Sequence, residues 1–524
     1  MTLSSSRRNF FALASVSLAA LMFGLEISSV PVILPTLEHL LHGDLKDMQW
    51  IMNAYTIACT TVLMAAGTLA DRYGRKRLFL LTLFCFGLTS LICGLAVSMP
   101  VLIVSRFLQG MSGGAMVICL LAILSHQFRE ERERSRAFGV FGIVFGAGLG
   151  FGPLIGGAIV ALLSWEWVFL VHVPLTVLTL FLAFSGVLES RDPEEKQLDL
   201  AGIVALSLAV FGLTYFITQG PDIGFASPTG MAILGAAIFC LVLFLYVEKT
   251  VAHPMFDFSV FRIPAFSGAL LGSIGMNFSF WPLMIYLPLY FQAVLGYGVV
   301  DAGLALLAYT LPTLIVPPFA ERLSLRYRPG VVIPVGLFTL GLGFMLMWQG
   351  SGLEHAGWLS MLPGCLIAGA GLGLTNTPVT NTATGAVPGN RAGMASGIDM
   401  SARLITLAIN IAVMGFLLFE SVLAYLREHM PAGMAAAQLR STAKAVAAGR
   451  LDAAGPLTQP ALAQGFAVLM LYGGAGVWIL AALSFLIFRS RNTAVPCGDS
   501  IGAGREGGSA CIARSLPEVG QQAD

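Results

Sequence analysis

Stretches of roughly 20 largely apolar residues follow one another along this chain, each long enough to cross a bilayer as a helix. Fourteen of them qualify, at roughly 10–37, 49–70, 78–98, 101–124, 137–162, 166–188, 200–219, 229–248, 265–291, 302–320, 331–349, 358–384, 393–423 and 464–488. No water reaches the backbone inside a bilayer, so segments of this kind must satisfy their own peptide groups as helices. The expected fold class is an all-α membrane protein with 14 transmembrane helices. Only 11% of the 524 residues are charged, too few to clothe a water-exposed surface of that size.

The charges that remain are asymmetric. With both termini on the cytoplasmic side, 22 of the 29 Lys and Arg residues fall on that side. Lys46 and four cations in the segment 424–463 fall outside, while Arg106 and Arg403 lie within spans. A missed or extra span would scramble this bias. The expected location is a bacterial cytoplasmic (inner) membrane, crossed many times. Ser6-Arg7-Arg8-Asn9-Phe10-Phe11 is similar to a twin-arginine export signal. It reads better as a positive anchor, because no small-x-small cleavage site follows and the apolar run carries Glu26. Cys59, Cys85, Cys93, Cys119, Cys240 and Cys365 sit in apolar spans without metal-ligand spacing, so they are expected to be buried and apolar.

Between the second and third spans lies Gly67-Thr68-Leu69-Ala70-Asp71-Arg72-Tyr73-Gly74-Arg75-Lys76-Arg77, a tight loop with four cations and one acid. This stretch closely resembles the loop after the second helix in transporters of the major facilitator superfamily. The resemblance implies two six-helix bundles built from three-helix repeats. They would occupy 1–190 and 259–488, with an inserted helix pair at 191–258 and a disordered tail at 489–524. A degraded copy of the loop, Ala320-Glu321-Arg322 through Arg326-Tyr327-Arg328, follows the second helix of the C-terminal six. The segment 424–463 reads as an exposed loop with some helix. In the first loop Asp71 is expected to accept hydrogen bonds from a helix N-terminus, and Arg72, Arg75 and Lys76 to pair with acids on neighbouring helices. Such contacts would hold one arrangement of the halves and release it on switching; Gly67 and Gly74 complete the pattern.

The fifth span carries Gly148-x-x-x-Gly152-Pro153-x-x-Gly156-Gly157. Glycines four apart line one helix face and admit another backbone closely, and Pro153 should bend the helix. The pattern resembles the antiporter motif of drug exporters in the superfamily. Leu102, Arg106, Gln109 and Gly110 resemble its fourth-helix motif, and Trp165 to Pro174 the sixth-helix entry of its 14-helix drug:proton antiporter branch. There Glu166 and His172 replace the usual basic residue and Asn. Val387 to Gly397, with Arg403, match the same branch. Thr406, Leu407 and Asn410 stand where glycines are expected, which leaves the packing of the thirteenth helix open.

Charges inside spans mark function by default. Glu26 falls about 24 Å along the first helix, at mid-membrane or just beyond. Desolvation there opposes the charged form, which suits proton exchange. Ionised, it would attract a cationic substrate; protonated, it would release it. Arg106 could tune its proton affinity or hold the first helix by hydrogen bonds, and an ion pair of Glu26 with Arg106 or another basic group is the structural alternative. Asp399 and Arg403, four apart, are expected to pair with each other. His172 could relay a proton, though a hydrogen-bonded helix histidine is the commoner case. Ser29, Asn53, Asn277, Phe280, Trp281, Asn376 and Asn381 are candidate lining for an amphipathic or aromatic ligand.

No phosphate-binding loop, catalytic triad or metal-ligand constellation is present, so neither an enzyme nor a cofactor-dependent protein is expected, and no nucleic-acid partner. The reading that results is efflux of amphipathic, cationic drugs, dyes or biocides by a monomeric carrier, with the proton gradient as its energy source. Export of an endogenous metabolite or a self-made antibiotic, or a non-transporting sensor, are the alternatives.

Overall fold

The computed structural model describes residues 5–128, 130–190, 199–251, 258–352, 357–387, 392–430, 435–450 and 453–489. The expected disordered tail and the motif residues 388–391 lie outside them. Within the N-terminal half run α1 (Ser5–Leu41), α2 (Leu45–Tyr73), α3 (Arg75–Gly94), α4 (Met99–Gln127), α5 (Glu131–Leu162), α6 (Glu166–Leu170) and α7 (His172–Gly186). The inserted pair is α8 (Leu200–Ile223) and α9 (Pro228–Thr250). The C-terminal half holds α10 (Pro264–Phe278), α11 (Phe280–Leu289), α12 (Val299–Thr310), α13 (Pro312–Ile315), α14 (Pro317–Tyr327), α15 (Pro329–Ser351), α16 (Trp358–Gly385), α17 (Ala392–His429), α18 (Ala436–Ala447) and α19 (Thr458–Arg489).

Several expected spans are broken rods, and proline accounts for the breaks. Pro282 cannot donate to the carbonyl of Phe278, four residues earlier, so the ninth rod splits between α10 and α11. After Pro288 it continues into a π-helical turn, Tyr290–Val294. Pro312 and Pro317 begin α13 and α14, dividing the tenth rod twice. Among the described residues, 13 helices are long and apolar enough to cross a membrane. The remaining rod is α2, some of whose mid-helix side chains lie outside the described residues.

The helix starts are chemically defined. Asp44 caps α2 by accepting from the Asp47 N–H (2.9 Å), while the Asp47 carboxylate accepts from the Asp44 N–H (3.1 Å). Asp199 and Ser227 each cap the helix that follows, α8 and α9, by accepting from a backbone N–H three residues on.

Two ends can be told apart. The basic end carries Arg72 to Arg77, Arg328 and Arg489; the far end carries Lys46 and the α8–α9 turn. One apolar cluster joins the C-terminal half to the far-end parts of α1 and α2, from Val30 to Leu37 and from Leu45 to Met52. A second, including Val16, Met22, Phe79, Phe86, Leu120 and Phe128, contains residues of the N-terminal half alone. The halves are thus fused toward the far end and keep separate cores toward the basic end. The inserted pair is not detached from them: Trp50 of α2 packs on Phe211 (5.6 Å between centroids) and Phe416 of α17 on Phe225 (5.3 Å).

The segment 424–463 departs from expectation. α17 runs on to His429, α18 follows, and α19 starts at Thr458. Ala443, Val446 and Ala447, at helical spacing, are fully buried and anchor α18 on the bundle.

Candidate functional site

Glu26 is completely buried in α1. Its Oε1 forms an ion pair with Arg106 Nη1 of α4. The same nitrogen donates to Gln109 Oε1 (2.7 Å), and Arg106 Nε donates to the Ile51 carbonyl of α2 (3.2 Å). The guanidinium lies over the Tyr55 ring, 4.3 Å from its centroid, and faces Phe169 at 5.8 Å. Gln109 passes the chain on by donating to Ser90 Oγ of α3 (2.8 Å). The other carboxylate oxygen, Oε2, has no hydrogen bond among the described residues and stands 3.4 Å from His172 Nδ1. That nitrogen is also 3.3 Å from the Phe169 carbonyl, and His172 Nε2 is 3.2 Å from the Met22 carbonyl. Residues of six helices, α1, α2, α3, α4, α6 and α7, therefore gather in one cluster around this acid.

Two residues past Glu26, α1 meets the glycine face of α5. Ser28 Oγ donates to the carbonyls of Gly24 (2.9 Å) and Gly148 (3.0 Å). A Cβ at Gly156 would sit 2.9 Å from that of Ser29, and a Cβ at Gly152 would collide with Ser28 Oγ. The opposite side of α5 lies on the other half. Thr310 Oγ1 of α12 donates to the Gly150 carbonyl (2.7 Å), and a Cβ at Gly157 would stand 2.9 Å from the Val299 carbonyl. The glycine motif is thus a two-sided seam, with the acid-bearing helix on one side and the C-terminal half on the other.

The C-terminal half holds its own acid–arginine pair. Asp399 accepts from Ser273 Oγ and from Arg403 Nε (3.0 Å), and Arg403 also donates to Asn376 Oδ1 (2.7 Å) and Thr380 Oγ1 (3.0 Å). The expected i,i+4 pair is present. Asn410, where a glycine was expected, accepts from Tyr472 of α19 (2.8 Å) and gives α17 a polar contact in place of close packing.

Residues 16–410 match the profile of the Major Facilitator Superfamily. The chain belongs to that superfamily. It is 32% identical over 425 residues to the multidrug resistance protein Stp of Mycobacterium tuberculosis, covering 81% of this chain and 79% of the relative. It is 30% identical over 415 residues to the tetracenomycin C resistance and export protein of Streptomyces glaucescens, covering 78% and 76%. The drug efflux pump JefA of Mycobacterium tuberculosis is 30% identical over 433 residues, at 82% and 83% coverage. Among solved structures, a bacterial homologue of the human lysosomal transporter Spinster, in an inward-facing and unoccupied conformation, superposes with a TM-score of 0.62 over 93% of this chain and 98% of that one. At 17% identity that likeness concerns the fold alone. This is a multi-pass membrane transporter of the superfamily, with relatives named for multidrug resistance and drug efflux.

In this major facilitator chain the described contacts of the signature loop lie inside one half. Gly74 turns the chain at φ 109°, and the acid found at the start of α3 is Glu189, which follows α7. Glu189 accepts from the Lys76 N–H (3.1 Å) and lies 3.7 Å from Arg77 Nε. Lys76 donates to the Phe184 carbonyl (2.7 Å) rather than to a carboxylate, and Arg72 lies over the Tyr73 ring. Arg75 donates its backbone N–H to the Ser190 carbonyl (3.0 Å). The surroundings of Gly67 and the side chain of Asp71 lie outside the described residues.

The candidate lining residues are spread over α1, α2, α10, α11 and α16, and most are engaged elsewhere. Ser29 bonds the Leu25 carbonyl (2.7 Å), Asn277 the Ser273 carbonyl (2.9 Å), and Phe280 stacks on Tyr309 at 4.0 Å with Trp281 against its edge. Asn376 serves Arg403, and Asn381 is exposed. Asn53 differs: it is fully buried, with neither amide atom hydrogen-bonded among the described residues. Sequence reasoning missed Tyr55 and Ser90 as members of the Glu26 cluster. An aromatic four residues before Cys59 in an apolar run carries no local signal of a cation above it.

Proposed function

We propose that this transporter exports amphipathic, cationic drugs or dyes in exchange for protons. The observation that carries the proposal is the setting of Glu26: a buried carboxylate with one oxygen held by Arg106 and the other, 3.4 Å from His172 Nδ1, without a hydrogen bond among the described residues. Such a group has two stable partners, a proton and a guanidinium, and they compete. Protonation at Oε2 would neutralise the acid and loosen Arg106, whose Nε holds the α2 backbone at Ile51. Because Glu26 is shielded by Arg106 and His172, substrate competition is read as indirect, through helix movement rather than direct contact with the acid. The glycine seam beside it would transmit that movement between α1, α5 and α12.

The fused far end and the separate cores at the basic end correspond to an inward-open carrier if, as the positive charges suggest, the basic end and both termini are cytoplasmic. A bacterial inner membrane, action as a monomer and dependence on the proton gradient alone belong to the same proposal. The export role of the tetracenomycin C relative favours a second reading, export of an antibiotic-like product. Proton release driven by substrate in proteoliposomes tests the mechanism: Glu26→Gln should abolish coupling, and undiminished release would exclude the role.

A further inference from the structure

At the far end, three parts of the chain converge on two acids. Asp222, in the last turn of α8, is held on one carboxylate oxygen by Lys46 of α2 and on the other by Lys444 of α18. Lys46 also donates to Gln219 Oε1 (3.1 Å), and Arg440 donates to the Pro221 carbonyl (3.3 Å). The second acid is Glu38 near the end of α1, only 1% exposed. Arg450, just past α18, donates to its Oε1 (2.6 Å) and to the Gly43 carbonyl (3.0 Å) in the turn between α1 and α2. Each half therefore contributes cations or acids to these pairs, and the inserted helix supplies the acid between the two lysines. Beneath them lies the apolar seam where Leu34, Leu45 and Met48 meet Ile285, Tyr286 and Leu289.

We infer that Asp222 with Lys46 and Lys444, and Glu38 with Arg450, form an ionic latch that keeps the far end closed and must break in each transport cycle. The inference rests on the alternating-access reading above. Its physical basis is the location of the pairs. The α1–α2 turn has to separate from α11 and α17 for the far end to open; Gln292 donates across this boundary to the Val32 carbonyl (3.1 Å), and the described ion pairs that cross it end on α8, α18 and Arg450. An apolar seam alone would close without direction, whereas partly exposed ion pairs give closure a defined register and a modest barrier, weakened by salt. The latch also explains why the inserted pair is docked on the bundle, because α8 carries the acid that links lysines from opposite halves.

The test uses the full-length chain in proteoliposomes, with the eight native cysteines replaced and Met48→Cys as a reporter in the seam. The rate of labelling by a membrane-impermeant maleimide from the far side measures opening without any substrate, so its failure is separable from failure of the efflux reading. Asp222→Asn and Arg450→Gln should each raise the rate several-fold (roughly five-fold, at the strong end for partly exposed pairs). Asp222 and its two lysines are partly exposed, so Asp222→Asn should fold even if Arg450→Gln, which strands the buried Glu38, does not. The charge-exchanged triple variant Lys46→Asp, Asp222→Lys, Lys444→Asp should return labelling toward the parental rate. Unchanged labelling in both single variants would overturn the inference. Faster labelling that the exchanged triple variant fails to slow would overturn it as well, because the effect would then be packing and not charge.

Discussion

Arg106 on α4 reaches Glu26 on α1 across 80 positions of sequence, and both side chains are 0% exposed. A pair so enclosed is worth little over an apolar substitute, yet losing one member strands the other charge without water. The single variants Glu26→Gln and Arg106→Gln should each destabilise the detergent-solubilised protein by about 3–5 kcal/mol. The double variant should be no worse than either alone, a coupling of about 3 kcal/mol or more. Thermal unfolding of the four proteins closes the cycle; additive losses would show that the two side chains act independently.

The seam between α1 and α5 makes a prediction about space and not charge. A methyl group at Gly152 would meet Ser28 Oγ, which is already fixed by the Gly24 and Gly148 carbonyls. Gly152→Ala should cost about 1–3 kcal/mol through overpacking, and Ser28→Gly in the same chain should recover part of it. Gly150→Ala, whose Cβ would have nothing within 4 Å, is the control and should be nearly neutral. Equal effects at Gly150 and Gly152 in a melting assay would refute the seam as drawn.

These relationships mark where sequence reasoning reaches and where it stops. Apolar length and charge asymmetry made the rods legible, and i,i+4 spacing made Asp399 and Arg403 legible as a pair, because both signals are local. Glycines four apart announced close packing but could not name α1 as one partner and α12 as the other. The partner of Glu26 was open for the same reason, since Arg106, His172 and Tyr55 come together only once α1, α2, α4 and α7 have packed. Some helix was expected in 424–463, but the docking of α18 escaped because its anchoring stripe is three modest apolar residues, Ala443, Val446 and Ala447, in a segment whose composition reads as exposed. The break at Ser279 follows from Pro282, though apolarity over the whole rod hid it.

The duplicated loops turn at corresponding positions held by different residues. Gly74 (φ 109°) and Arg328 (φ 66°) occupy corresponding turns, each immediately before the first residue of the next helix. Left-handed backbone costs an ordinary side chain roughly 1–2 kcal/mol. Arg328→Gly should therefore raise the unfolding temperature, offset in part by the added freedom of the unfolded chain. Gly74→Ala should lower it, both by strain and because its Cβ would stand 2.6 Å from Glu189 Oε1. Shifts of the same sign in the two variants would contradict the turn geometry.

His172 sets a last condition on the Glu26 cluster. Three acceptors face its two ring nitrogens: the Phe169 carbonyl and Glu26 Oε2 at Nδ1, and the Met22 carbonyl at Nε2. A neutral imidazole has one N–H and leaves one side unsatisfied, whereas a protonated ring serves both. His172→Asn retains one donor amide but cannot carry a proton, so it should fold yet shift the pH dependence of substrate-driven proton release if the ring shares the proton with Glu26. His172→Leu removes every donor and should lose about 1–3 kcal/mol of stability by stranding the buried acceptors. A pH profile that His172→Asn leaves unmoved, with transport intact, would confine the histidine to joining α7 to α1 and leave Glu26 to exchange its proton without it.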